Sequence, residues 1–146
     1  MASSIPHSSL TYQIIGAAMN VHNRLGPGHK EAVYQDALSQ ALLDANFSVT
    51  EEQALEIRDG EQFLGLLYLD HLVEDTIIVE AKAFSHLLTD EEIAQVITYL
   101  AATGLSVGLL LNFGRRRLEY KRILPPQKLE GWQDRIGRYL WTPPRP

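Results

Sequence analysis

Three residues, Asp70, Glu80 and Lys82, carry the chemical interest of this sequence. Glu80 and Lys82 interrupt "TIIVEAKAF", residues 76–84, which otherwise reads as a buried β-strand. Side chains alternate across a strand, so Ile77, Val79, Ala81 and Ala83 share one face, and Glu80 and Lys82 sit side by side on the other. Asp70 lies near the end of the preceding apolar stretch, and a turn near Glu74-Asp75 would fold it back beside Glu80. Two carboxylates a few ångströms apart repel each other, and burial worsens the repulsion unless a divalent cation neutralises it. An adjacent lysine adds a positive charge that can meet a phosphate oxygen or a water. Asp, Glu and Lys around one point suit Mg²⁺-dependent attack of water on a phosphodiester. On spacing alone, a Glu80–Lys82 pair on a solvated face with an unrelated Asp explains the pattern equally well.

The elements that would position these residues can be read from periodicity. A first helix begins after Ser8 or Ser9 and carries Leu10, Ile14, Ala18, Val21 and Leu25 on one stripe. "LGPGHK" ends it, because Gly26-Pro27-Gly28 cannot continue a helix. A second helix is expected over about 29–46, with Val33, Ala37, Leu38, Ala41, Leu42 and Ala45 facing a core. Strands follow over 49–58 and 62–73, joined by the hairpin signal Asp59-Gly60. The strand of 76–84 comes next. Thr89 with Glu92 three residues on is a capping box for a third helix, which carries Ile93, Val96, Ile97 and Leu100 and ends near Gly104. "SVGLLLNF", 106–113, is apolar enough for a central strand covered on both faces. "RLEYKRI" is a last strand, stopped by Pro125-Pro126, and 129–140 is expected to form a C-terminal helix. The order ααβββαββα describes an α/β domain, a mixed sheet flanked by helices. We expect one domain over 1–146, with loose tails at 1–8 and 141–146.

Composition narrows the function. No cysteine is present, which excludes disulfides, thiolate zinc sites and iron–sulfur clusters. "MASSIPHSSL" lacks the basic start and apolar run of a signal peptide, and no apolar stretch approaches the roughly 20 residues that span a bilayer. A cytoplasmic protein without a membrane partner is expected. The net charge of −5 is unevenly spread. Residues 114–146 hold nine Lys/Arg against three Asp/Glu, whereas 1–113 hold four against fifteen. This asymmetry suggests an anionic partner for Arg115, Arg116, Arg117, Lys121 and Arg122, although a hairpin kept soluble by arginines fits as well.

Several motifs share a resemblance. Asp70 followed after nine residues by Glu80-x-Lys82 resembles the core of PD-(D/E)XK nucleases. "GHKEAVY", with Gly28, Glu31 and Tyr34, is similar to the GxxExxY signature of a small family in that superfamily. "ATGLSVGLLLNFG" and "LEYKRI" look like the same family, and "QVITY" is similar to the QxxxY motif of its RecB-like branch. The resemblance implies a restriction-endonuclease-like fold and a metal-dependent nuclease, with DNA favoured over RNA. The alternative is a nuclease fold serving as a non-catalytic nucleic-acid-binding or assembly module. The resemblance further implies that Asp70, Glu80 and the Ala81 carbonyl ligate Mg²⁺ (Mn²⁺ substituting), with Glu31 completing the acidic cluster. Lys82 would activate water and stabilise charge on the phosphate. Gln95 and Tyr99, one turn apart on a helix, would hydrogen-bond toward the site or the nucleic-acid backbone.

His22 is a neighbour one turn before the Gly-Pro-Gly break, and Tyr34 reads as structural. Where that family often has an arginine two residues before the metal aspartate, this chain has Tyr68. A homo-oligomer is expected to multiply the basic stretch, with "VGLLLNF", Trp132, Tyr139 and Trp141 as candidate interface residues.

Overall fold

The computed structural model describes residues 6–125 and the backbone of 140–142. Two helices come first, α1 (Ser8–Leu25) and α2 (Glu31–Asp44), followed by three strands, β1 (Val49–Asp59), β2 (Gln62–Val73) and β3 (Ile77–Lys82). Helix α3 (Asp90–Thr103), β4 (Gly108–Asn112), β5 (Glu119–Ile123) and a short β6 (Leu140–Thr142) complete the order. The strands form one mixed sheet in the order β5-β4-β3-β2-β1-β6, in which only the β3–β4 pair is parallel. This is the α/β architecture of the restriction-endonuclease-like fold.

The centre of the sheet, β3 and β4, is covered on both faces. Ile77, Val79, Ala81, Leu109 and Leu111 pack with Ile14, Ala18, Val21, Tyr34, Leu38 and Leu42 of α1 and α2. Ile78 and Leu110 pack with Val96, Tyr99 and Leu100 of α3. A parallel pair needs such a crossover, and the continuous apolar runs of β3 and β4 follow from burial on both sides. The α2 core stripe differs from the expected one. Tyr34, Leu38 and Leu42 are buried at i, i+4 spacing, whereas Val33 is 41 % exposed and Ala45 lies just past the helix end.

Two expectations are corrected. Val107, Leu109, Leu110, Leu111 and Phe113 are fully buried in the protein's own core, so "VGLLLNF" offers no apolar surface to a second copy. Leu140, Trp141 and Thr142 pair with Arg58, Ile57 and Glu56 as a strand, where a helix end and a loose tail were expected. The open edge of β1 offers unpaired backbone groups, and strand pairing satisfies them. The rest of the expected C-terminal helix, Trp132 and Tyr139 lie outside the described residues.

The turn that brings β2 back to β3 sits where the sequence suggested. Glu74 and Asp75 both have positive φ, 54° and 50°, as a tight primed turn requires. The Thr76 N–H closes it on the Val73 carbonyl at 2.9 Å. Glu74 anchors it to the start of β1: its N–H donates to the Ser48 carbonyl, and its carboxylate accepts from the Ser48 N–H, both at 2.9 Å.

A second close approach joins β3 to the turn after β4. The Phe113 N–H donates to the Lys82 carbonyl at 2.8 Å, and Gly114 then lies directly on the backbone of Ala83 and Phe84. A Cβ at Gly114 would stand 2.6 Å from the Ala83 carbonyl carbon and the Phe84 nitrogen. Both obstacles are backbone, so neither can rotate away. Gly114→Ala should therefore destabilise the protein by about 1–3 kcal/mol, as overpacking does. Urea unfolding checks this, and a change within about 0.5 kcal/mol would show that the contact carries no constraint.

Candidate active site

The hairpin β1–β2 changes the face it buries partway along. Val49 and Val73 pack toward α1 and α2, whereas Leu55 and Leu69, at positions of the same parity, pack toward α3. The change falls at Glu52 and Asp70. They stand opposite each other in the register between the pairs Glu51–His71 and Gln53–Leu69. Glu52 has φ +51°, a conformation non-glycine residues rarely adopt and one that recurs at functional sites. The β2–β3 ladder ends beside it, at His71–Val79.

Side chains take over where the ladder stops. The Asp70 N–H donates to Glu80 Oε1 at 3.1 Å, and the Ala81 N–H donates to Asp70 Oδ2 at 3.0 Å. The exchange is reciprocal, each carboxylate binding the other strand's backbone. It satisfies backbone groups that would otherwise be buried unpaired, and it locks both carboxylates side by side.

Glu80 is 2 % exposed. Burial, then the negative charge of Asp70, push its carboxyl well above the ordinary 4.5, against the Asp70 N–H and Lys82, which pull it down. Glu31, in the first turn of α2, is raised by burial and Asp70 and lowered by Lys82. The Tyr99 hydroxyl is raised by burial, then by Glu80 and Asp70. Asp70, Glu80, Lys82, Glu31 and Tyr99 therefore share one electrostatic neighbourhood, drawn from β2, β3, α2 and α3. Gln95, one turn before Tyr99, lines a groove with Lys82.

Among the described residues, no group of three or more His, Asp or Glu side chains is arranged to hold a metal ion. Asp70 and Glu80 nevertheless form a pair of adjacent carboxylates, each with one oxygen fixed by an N–H and a second that these hydrogen bonds do not use. Mg²⁺ is commonly held by one or two carboxylates while keeping several waters, and the pair fits that requirement.

The cationic residues separate. Arg115, Arg116 and Arg117 line one cleft of about 730 Å³ with Pro27 and Ser85. Arg122 instead donates from Nε to Thr11 Oγ1 of α1 at 3.1 Å, and Lys121, its neighbour on β5, points to the opposite face. His22 is buried, and its Nε2 lies 2.8 Å from the Arg115 carbonyl, so it holds the arginine turn from beneath. The Tyr34 ring stacks on Phe113 at 4.9 Å, and its hydroxyl donates to the Gly26 carbonyl, pinning the Gly-Pro-Gly turn.

Asn112 escaped the sequence reading, although a lone amide in an apolar strand is a signal. It is fully buried. Its Oδ1 accepts from the N–H of Phe84 (2.8 Å) and of Gly114 (3.1 Å), and its Nδ2 donates to the His86 carbonyl (3.0 Å) and to Glu119 (3.2 Å). Glu52 was also missed. With Asp36, Glu51 and His71 it lines a crevice of about 50 Å³ that borders Asp70.

A family model of the PD-(D/E)XK nuclease superfamily matches residues 8–123. No curated protein and no solved structure matches the chain.

The raised Glu80 carboxyl has a consequence for stability without metal. The folded protein holds this proton more tightly than the unfolded chain, so stability falls as pH rises from 4.5 through the higher folded value. In chelator at about pH 8, Glu80→Gln should be more stable than wild type, with the difference shrinking toward about pH 4. Urea unfolding across that range tests this. A variant less stable than wild type at high pH would contradict it.

Proposed function

The chain belongs to the PD-(D/E)XK nuclease superfamily, and we propose that it is a metal-dependent nuclease that hydrolyses phosphodiester bonds, DNA being the favoured substrate. The observation that carries this reading is the Asp70–Glu80 exchange on adjacent strands, with Lys82 two residues beyond Glu80. The finer placement in the GxxExxY group and the RecB-like branch rests on Gly28, Glu31 and Tyr34 and on Gln95 and Tyr99.

In this reading Asp70, Glu80 and the Ala81 carbonyl would hold Mg²⁺ or Mn²⁺, with Glu31 completing the acidic cluster. The chemistry a divalent cation supplies when bound there is Lewis-acid polarisation of the phosphoryl oxygens. Lys82 orients the attacking water and stabilises the charge that grows on the phosphate. The Tyr99 hydroxyl, with its proton held firmly by burial and by both carboxylates, donates a hydrogen bond rather than accepting a proton. Gln95 positions the strand beside Lys82. Arg115, Arg116 and Arg117 bind backbone phosphates, where affinity grows with the number of charges neutralised. A homo-oligomer would present several such turns to one strand, and Leu64, Leu66 and Tyr68, 42–53 % exposed on β2, are apolar positions for its contact.

The test is cleavage of DNA by purified protein with Mg²⁺ or Mn²⁺. Lys82→Ala should lower turnover by about 10²–10³-fold, the usual loss when a group acting on the developing charge is removed. Its folding should stay near wild type. Wild-type cleavage by the Lys82→Ala protein would remove the mechanism. Metal-independent binding with no cleavage by wild type would favour the non-catalytic module.

A further inference from the structure

Beyond Lys82 the chain leaves the sheet between two clefts, one lined by arginines and one by aromatic and mixed charged residues. Ser85 faces the cleft of Arg115–Arg117, and its carbonyl accepts from the Arg115 guanidinium at 3.4 Å. Phe84 and His86, at alternate positions, line a groove of about 630 Å³ together with Lys82, Gln95, Glu91 and Glu92. The Phe84 and His86 rings are stacked, with centroids 4.7 Å apart and planes 14° from parallel. His86 is exposed, so this stack ends in an aromatic surface that reaches solvent.

The backbone beneath the stack is anchored. Asn112 binds the Phe84 N–H and the His86 carbonyl, and His86 Nδ1 lies 2.9 Å from the Leu87 carbonyl. Anchoring of this backbone lowers the ordering cost for a flat ligand that meets the surface. Charge selects the ligand. Glu91 and Glu92 on the α3 wall of the groove repel phosphate, whereas Lys82 on its β3 side and the arginine turn across the segment attract it. The complementary partner is therefore a flat, uncharged ring with hydrogen-bonding edges, tethered to phosphates that lie toward Lys82 and the arginines.

We infer that this groove takes an unpaired base of a DNA strand, stacked on His86, with the Gln95 amide meeting its edge. Aromatic rings supply a stacking surface for any base, and a side-chain amide can both donate and accept at a base edge. In a duplex each base is already stacked and paired, so the groove favours single strands or frayed ends over intact duplex. The inference rests on the nuclease reading, which sets Lys82 beside the scissile phosphate.

The experiment is fluorescence anisotropy of short labelled DNA with the full-length protein in chelator, comparing one sequence as single strand and as duplex. Wild type should bind the single strand more tightly. His86→Ala should weaken single-strand binding by about tenfold, as the loss of one base-stacking side chain does, and leave duplex binding unchanged. His86→Tyr should restore it. Arg116→Glu should weaken both ligands. Equal affinity of wild type for the two DNA forms, or a His86→Ala effect shared by both or absent, would overturn the inference. Binding in chelator is independent of hydrolysis. A protein with His86-dependent single-strand binding and no Mg²⁺-dependent cleavage would fail the nuclease reading alone.

Discussion

Everything at this site depends on how Asp70 and Glu80 satisfy the backbone where β2 and β3 part. Continuing the ladder one more pair would have spent those N–H groups on carbonyls and left the buried Glu80 and the half-buried Asp70 without these donors. Each carboxylate instead binds the opposite strand's N–H, at 3.1 and 3.0 Å. Such charge-assisted bonds are stronger than neutral ones and offset part of the penalty of burying Glu80. They do not remove it, as the raised Glu80 carboxyl records. A divalent cation bound beside this pair would relieve the remaining cost.

A second constraint ties this half-site to its surroundings. Asn112 and Gly114 hold together the segment after Lys82 and the arginine turn, one through four hydrogen bonds and the other through a backbone contact that only glycine permits. His22 supports the same turn from α1 through the Arg115 carbonyl. Lys82, the aromatic pair Phe84–His86 and the three arginines are thus carried on backbone segments tied together at the end of the parallel β3–β4 pair. Loops positioned by such a scaffold are where binding residues commonly lie.

Periodicity and spacing made much of this legible. The apolar run around Leu110 announced a strand covered on both faces, the run around Ile78 a buried strand, and Glu74-Asp75 the turn that brings Asp70 close to Glu80. The bend at Glu52 was not legible. Nothing in "VTEEQAL" marks a positive φ, which tertiary packing imposes when the hairpin shifts from the α1–α2 side to the α3 side. Val33 was misassigned because alanines dilute the pattern of α2, and Tyr34 rather than Val33 turns inward. The basic cluster misled in part, since alternation along β5 sends Lys121 and Arg122 to opposite faces and only Arg115–Arg117 line one cleft. Asn112 carried a signal, an amide in a run of leucines, but its four partners are distant in sequence.

The most direct measurement of the central claim is the anomalous scattering of crystals soaked in Mn²⁺. The account predicts a peak within coordination distance of the carboxylate oxygens of both Asp70 and Glu80, absent from an Asp70→Asn crystal soaked in the same way. A wild-type crystal with no peak at these two carboxylates, or with its Mn²⁺ bound only elsewhere, would contradict it.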